Sequence, residues 1–310
     1  MFLQNLFGKI ILIKKLLKYL PAILAVVFFG MSFIWTKILL QSYGALTIIF
    51  LRLIISVILL SIYIFTRRSF SIDKKDYKYF FLLALLEPFF YFLGENYGVN
   101  YVSPAVASIM ISTIPVITPF FSFLFLDERL SIYNILGLIL SFGGVIIVLT
   151  TKNSTLVFSM KGIMLLSLAV MSAVGYSIFV KKLTEKYSSV DIVFIQNFIG
   201  IFYFLPFFLI FEWQNFLSTQ MTFDILAPLL QLSIFASTFA FILITTSIRN
   251  LGVNKTNVFL NLIPVATVIF SYFLYGNVLS LQEIVGIVVV LSGLFLAQKK
   301  RRKELILHED

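Results

Sequence analysis

Long apolar runs separated by short polar breaks divide the chain into ten segments, at residues 19–38, 45–66, 79–99, 103–126, 131–150, 162–180, 191–211, 225–248, 256–275 and 280–298. Each supplies roughly the 20 residues that a helix needs to cross a hydrocarbon core of about 30 Å. The longest breaks are 67–78, 151–161 and 212–224, too short for a separate soluble domain. The pattern predicts an all-α membrane protein of ten transmembrane helices. Residues 1–18 interleave Lys9, Lys14, Lys15 and Lys18 with Phe, Leu and Ile, and no small-residue cleavage site follows a short apolar core. They read as an amphipathic helix on the cytoplasmic surface, not a cleaved signal peptide.

Charge tests this topology. The net charge is +10, which in a soluble protein would point to nucleic acid. Here 60% of the residues are hydrophobic and 12% are charged, too few charges to build a soluble shell. With the N-terminus cytoplasmic, 20 of the 24 Lys and Arg fall on the inner side, grouped before 19, at 67–78, at 129, at 181–186, at 249–255 and at 299–303. Lys37, Lys152 and Lys161 fall outside, and Arg52 lies within a span. That asymmetry predicts cytoplasmic termini. A missed helix would scramble the alternation beyond it, so the charges support the number ten as well. The expected location is the plasma (bacterial inner) membrane, with lipid as a partner, the basic tail at 299–303 as a lipid anchor, and no nucleic acid. Oligomeric state is not set by any of these features.

The chain also repeats itself. Shifted by 149 residues, Ile114, Pro115 and Val116 meet Ile263, Pro264 and Val265; Thr118, Phe121 and Ser122 meet Thr267, Phe270 and Ser271. Leu130, Ser131, Ile135, Gly137 and Gly144 meet Leu279, Ser280, Ile284, Gly286 and Gly293. Shared Leu or Ile means little in membrane helices; shared Pro, Gly, Ser and Thr means more. A repeat of five helices has an odd count, so its two copies must cross the membrane in opposite senses. Inverted repeats of this kind are a recurrent transporter architecture, with the solute site near the midplane where the halves meet. The domain boundaries expected are 1–18 for the amphipathic segment, 19–150 and 162–298 for the two repeats, 151–161 for an external linker and 299–310 for a basic tail.

The run at 101–115 (Tyr-Val-Ser-Pro-Ala-Val-Ala-Ser-Ile-Met-Ile-Ser-Thr-Ile-Pro), followed by Phe-Leu-Asp-Glu-Arg-Leu at 125–130, resembles the end of an EamA repeat of the drug/metabolite transporter superfamily. So does Val-Phe-Leu-Asn-Leu-Ile-Pro-Val at 258–265 with Leu-Ser-Leu-Gln-Glu-Ile-Val-Gly at 279–286. The second copy departs at Gly276, Asn277 and Val278, where the first has Asp127, Glu128 and Arg129. The resemblance runs from about Tyr19 to Gln298 and implies a carrier of five plus five helices that moves metabolites without ATP hydrolysis.

Several side chains are candidates for the site. Glu87 falls near the middle of the third span, directly before Pro88. A carboxylate at membrane depth is expensive and must be paired, protonated or facing water. Tyr91 and Glu95 follow at four and eight residues, giving a polar stripe on one side of the helix. Arg52 lies about 10 Å deep in the second span by helix rise, within reach of either carboxylate. Two readings therefore stand together: a structural ion pair of Arg52 with Glu87 or Glu95, or binding of solute or proton at Glu87. Pro115 and Pro264 free carbonyls four residues back. Ser108 with Ser112, and Asn257 with Asn261, stand on one helical face before them and suit a central solute site as well as they suit interhelical hydrogen bonding. Ser32, Thr36, Ser172 and Tyr176 occupy repeat-equivalent helices. Trp35 and Trp213 suit the membrane boundary. Gly137, Gly143, Gly144, Gly286 and Gly293 suit close helix contact.

The chain has no Cys, and its one His is His308 near the C-terminus. Thiol chemistry, a Ser-His-Asp triad and a His-centred metal site are thereby excluded. There is no paired metal-ligand motif and no phosphate loop, so no metal or other cofactor is expected. The expected function is a secondary transporter. It would carry a small organic metabolite, resembling an amino acid, a sugar or a drug, by alternating access, with Glu87 a candidate for proton coupling. An intramembrane enzyme acting on a lipid-linked substrate would need a nucleophile or metal constellation that the chain lacks. A non-transporting assembly or sensor protein would be expected to carry a soluble effector segment.

Overall fold

The computed structural model describes residues 17–66, 71–102, 104–128, 130–150, 159–275 and 280–298. The expected segments at 1–16 and 299–310, and most of the linker at 151–161, lie outside the described residues. Those described are helical or in short connections, with no strand among them.

The first repeat opens with α1 (Leu20–Leu39) and α2 (Ala45–Thr66). A short 3-10 turn at Lys74–Asp76 leads into α3 (Tyr77–Ala84), and after an interruption at Leu85–Phe90 the chain continues as α4 (Tyr91–Gly98). The next crossing is also in two pieces, α5 (Pro104–Ile111) and α6 (Ile114–Leu126), and α7 (Ile132–Leu149) ends the repeat. The second repeat contains α8 (Met160–Leu183), α9 (Ser189–Phe211) and the short α10 (Trp213–Ser218). Then α11 (Phe223–Gln231) passes through a π-helical stretch, Leu232–Ala240, into α12 (Phe241–Leu251). The ninth expected crossing joins α13 (Val253–Asn257), a 3-10 turn at Val258–Asn261 and α14 (Leu262–Tyr275), and α15 (Leu281–Ala297) is last.

Eight of these stretches are long and apolar enough to cross a membrane, and Leu281–Ala297 is a shorter apolar helix. The expected span 79–99 is the exception. It breaks at Glu87, whose backbone is extended (φ −145°, ψ 119°). Proline at 88 removes an N–H and disfavours helical backbone in the residue before it. The exterior of the bundle carries exposed Phe120, Phe125, Phe202, Phe273 and Phe295, a surface that suits contact with lipid.

Contacts between α7 and α15 show how the two copies are related. Gly137 packs on Gly293 and Ala297, while Gly144 packs on Gly286 and Val290. In the repeat, Gly137 corresponds to Gly286, Gly144 to Gly293 and Val148 to Ala297. Exchanging the copies therefore maps the contact onto itself: the Gly137–Ala297 approach has its counterpart in Gly286 against Val148. Positions rise along α7 as they fall along α15, so equivalent helices run in opposite directions, as a pseudo-two-fold axis between inverted repeats requires. Both helices start with a capping box, Ser131 with Asn134 and Ser280 with Glu283, again equivalent positions. Near each start an amide reaches the far end of the partner: Asn134 donates to the Ala297 carbonyl, and Gln282 to those of Ile147 (3.1 Å) and Thr150 (2.9 Å).

Two packing expectations need correction. A side chain at Gly143 would meet nothing within 4 Å, so this glycine, unlike its neighbours, permits no close contact. Trp35 is buried against Phe235, ring centroids 6.0 Å apart, in a cluster with Leu39 and Leu232, and does not sit at the lipid boundary. Its indole lies on the face of α1 that packs on the π-helical stretch. Trp213 does stay partly exposed, against Phe208 and Phe216.

Candidate functional site

Breaks in three helices leave a cavity of about 490 Å³ between the repeats. Its first-repeat wall comes from α1, α2 and the broken third crossing, with Ser32, Lys37, Arg52, Glu87, Tyr91, Glu95 and Asn96. The second repeat contributes Tyr176, Ser177, Phe241, Asn257 and Thr267. At one end the lining includes exposed Lys37 and Asn100; at the other it is buried at Ile248 and Asn257. Phe29, Phe92, Phe241 and several Ile make most of the remaining wall. Apolar walls with a few polar groups are typical of small-molecule sites, and the volume falls within their usual range of roughly 300–1,000 Å³.

Arg52 is the buried cation of the site, 5% exposed. Its Nε donates to Ser237 Oγ at 2.6 Å, and its guanidinium lies over the Phe92 ring, 4.2 Å from the centroid. Ser237 stands in the π-helical stretch and belongs to a buried network there. Asn197 donates to Ser56 Oγ (2.9 Å) and to the Ser237 carbonyl (3.2 Å), and the hydroxyls of Ser56 and Thr238 share a hydrogen bond (2.7 Å). The direct ion pair of Arg52 with Glu87 or Glu95 is not formed; among the described residues both direct ion pairs are made by Lys186. Serine on the opposite helix and the Phe92 ring occupy one edge and one face of the guanidinium instead. Glu95 accepts from the Tyr91 hydroxyl at 3.0 Å. Glu87 is buried at the helix break and has no hydrogen-bond partner among the described residues.

The structure thus brings Ser32, Arg52, Glu87, Tyr91, Glu95, Tyr176 and Asn257 to one cavity. Tyr176 donates to Gln196 (3.1 Å), and Asn257 donates to Thr118 (3.0 Å) and Ser177 (3.2 Å), so both are held by buried partners. Asn261 is elsewhere: it donates to Ser141 Oγ on α7 at 3.1 Å and does not line the cavity. Between Asn257 and Asn261 the backbone is a 3-10 turn. Four residues at three per turn advance about 120° beyond a full turn, against about 40° in an α-helix, which takes Asn261 off the face it was expected to share. Ser112 is buried outside the lining, at the turn between α5 and α6. The side chain of Ser108 lies outside the described residues. Asn96, Phe92, Ser177 and Ser237 had no separate sequence signal beyond being polar or aromatic within a span, and Asn100 falls in the break after the third.

Beyond the buried end, polar contacts join loops of the two repeats. Glu128 accepts from the backbone N–H groups of Val253 (2.9 Å) and Asn254 (3.1 Å), and Ser122 donates to Asn254 Oδ1 (2.8 Å). Asp76 accepts from Lys186 and from the Tyr187 hydroxyl, each at 2.7 Å. Within the second repeat, Arg249 donates to the carbonyls of Thr184 (2.9 Å) and Tyr187. The bonds of Glu128, Ser122 and Asp76 tie the two repeats together beyond the buried end, while exposed Lys37 and Asn100 line the other end of the cavity. Among the described residues, no group of three or more His, Cys, Asp or Glu is placed to hold a metal ion.

Comparison with known proteins agrees with this architecture. The EamA-like transporter family matches twice, over residues 16–150 and 160–298. An uncharacterized transporter of Archaeoglobus fulgidus is 25% identical over 92% of this chain and 99% of its own length. The uncharacterized transporter YetK of Bacillus subtilis is 24% identical over 96% of this chain and 91% of its own. One solved crystal structure superposes with a TM-score of 0.78 at 13% identity, covering 90% of this chain and 97% of that one, which shows the fold alone.

Proposed function

The chain belongs to the EamA-like transporter family, and from that premise we propose a secondary carrier that moves a small organic metabolite by alternating access. The observation that carries this reading is the cavity itself. Both repeats line it, it reaches the surface at Lys37 and Asn100, and it is closed beyond Ile248 by bonds between the repeats. Inverted copies can exchange conformations, so a state closed at Lys37 and open beyond Ile248 is its natural counterpart. In this reading the membrane is crossed ten times, with both termini in the cytoplasm and the open end outside, an orientation that the excess of basic residues on one side supports.

Glu87 stands at the break in the third crossing without a hydrogen-bond partner among the described residues, the setting expected of a carboxylate that exchanges a proton or meets a cation. The test is counterflow in proteoliposomes that contain the purified protein, with a cell extract as the solute source. Exchange of particular metabolites above empty vesicles is expected. No exchange in either orientation would overturn the carrier. A Glu87→Gln protein that keeps the full pH dependence of transport would remove the proton role.

A further inference from the structure

The closed end of the cavity is a ladder of hydrogen bonds between α6 of the first repeat and α13 of the second. Asn257 lines the cavity and donates to Thr118 Oγ1 at 3.0 Å and to Ser177 Oγ at 3.2 Å. One turn further along α6, Ser122 donates to Asn254 Oδ1 at 2.8 Å, and beyond it Glu128 accepts from the N–H groups of Val253 and Asn254. Thr118 and Ser122 are four residues apart, and Asn254 and Asn257 three, spacings that keep each set on one helical face. Ser247 and Thr256, next in sequence to Ile248 and Asn257, bury hydroxyls that have no hydrogen-bond partner among the described residues. A hydroxyl left so is costly, and water entering an opened end would relieve the cost.

In the other repeat the same position is free of the ladder. Thr267 corresponds to Thr118, and Ile263 to Ile114. Each threonine bonds back to the carbonyl four residues earlier, Thr118 to Ile114 at 2.7 Å and Thr267 to Ile263 at 3.0 Å. Thr118 also receives the Asn257 amide, whereas Thr267 lines the cavity and meets the Gly30 carbonyl of α1 at 3.1 Å. The sequence makes the two ends unequal. Ser122 with Asn254 becomes Ser271 with Ala105, and Glu128 with the N–H groups at 253 and 254 becomes Asn277 with Pro104 and Ala105. The second rung thus loses a polar partner, and the third loses its carboxylate and, at Pro104, an N–H. An empty molecule is therefore expected to rest with the ladder closed and the cavity reaching the surface at Lys37.

Building on the carrier reading, we propose that Asn257 couples occupancy of the cavity to opening of its closed end. The amide of Asn257 is spent on the first rung, yet the side chain lines the cavity. A solute oxygen that accepts from Asn257 Nδ2 takes a donor from Thr118 or Ser177 and replaces the bond it breaks. Parting of α6 from α13 then costs the remaining rungs only. Water can accept from the amide too, but a solute held by the other walls presents its oxygen without a further ordering cost.

Thr256→Cys is the reporter: the side chain is buried, lies off the cavity lining and has no hydrogen bond for the change to remove. Its labelling by a membrane-impermeant maleimide is followed in proteoliposomes of the full chain, in buffer and in the cell extract of the counterflow assay freed of thiols. Extract should quicken labelling of the reporter protein about fivefold, the weight of one neutral hydrogen bond. With Asn257→Ala added, labelling in buffer should already be faster by about that factor, and extract should add nothing. Ser122→Ala, which breaks the second rung, should also quicken labelling in buffer but keep the response to extract. Thr118→Val removes the first rung from the other side; it should start fast and respond less, and it carries the test if the Asn257→Ala protein does not fold. An extract that drives counterflow but leaves reporter labelling unchanged, or a full response in Asn257→Ala or Thr118→Val, would overturn the coupling and leave the carrier standing. Loss of the response in Ser122→Ala as well would assign it to the ladder as a whole and overturn the role of Asn257. Absence of counterflow would overturn the carrier and the coupling with it.

Discussion

Arg52 in the first repeat donates through Nε to Ser237 Oγ in the second, at 2.6 Å. The bond fixes the guanidinium in the cavity wall and ties α2 to the π-helical stretch of the eighth crossing. That stretch is itself reinforced by side chains that turn back on it: Ser237 donates to the Leu232 carbonyl at 3.4 Å and Thr238 to that of Ser233 at 2.9 Å.

Ser237→Ala should therefore misplace Arg52 without removing its charge. Loss of a hydrogen bond to a charged group costs about 1.5–3 kcal/mol. The half-saturation concentration for the transported solute should rise about tenfold, with a smaller change in maximal rate. Ser237→Thr keeps the hydroxyl and should restore much of the loss. Unchanged half-saturation in the alanine variant would show that Ser237 does not position Arg52.

The bundle is legible in the sequence because length and apolarity largely decide whether a helix crosses a membrane, and the shared Pro and Gly positions mark the repeat. Glu87, Tyr91 and Asn257 stand out as polar groups in apolar surroundings, and the structure does place them at the cavity. Partners across the repeats are not legible. Ser237 is one of several serines in an apolar span, and its meeting with Arg52 depends on how α2 packs against the eighth crossing. Asn261 shows a second limit: helical periodicity fails where a turn tightens to 3-10 winding, and nothing local besides the nearby Pro264 marks the change. Trp35 shows a third, since an aromatic near a span's end suits either a lipid boundary or a core.

The contact between α7 and α15 predicts a sharp contrast among glycines. A Cβ at Gly293 would stand 2.7 Å from the Gly137 carbonyl oxygen, and one at Gly144 would stand 2.9 Å from that of Gly286. Gly293→Ala and Gly144→Ala should each destabilise the detergent-solubilised protein by on the order of 1–3 kcal/mol, the usual cost of overpacking. Gly143→Ala meets nothing within 4 Å and should gain up to about 1 kcal/mol of helix propensity. Thermal melts of the three variants check this; equal effects at Gly143 and Gly144 would contradict the packing.

Asp76 gives the closed end a pH dependence. Hydrogen bonds from Lys186 and then Tyr187 hold its carboxyl below the usual carboxylate range. A lowered pKa in the folded state means that folding favours the ionised form. The resulting stabilisation is complete above the range where a free carboxylate titrates and is lost as pH falls through the folded value. Melting temperatures of wild type and Asp76→Asn should differ by a constant amount from pH 5 to 7 and converge below about pH 4. Convergence already near pH 6 would mean that another group controls the effect.

Glu128 offers a direct handle on which end of the cavity is open. Its carboxylate receives the first two N–H groups of α13, next to Gly252, where φ is +86° and a Cβ would stand 2.8 Å from the Glu128 oxygen. An acidic side chain at a helix start is worth about 1 kcal/mol through its hydrogen bonds and the helix dipole. Glu128→Ala should thus raise the population open beyond Ile248 about fivefold. Because the chain has no native cysteine, Ile248→Cys can be labelled cleanly with a membrane-impermeant maleimide. With Glu128→Ala its labelling from the face assigned to the cytoplasm should quicken by that factor, while Lys37→Cys labels more slowly from the opposite face. Faster labelling at both positions would indicate general loosening of the fold, and no change at either would show that Glu128 does not hold the closed end.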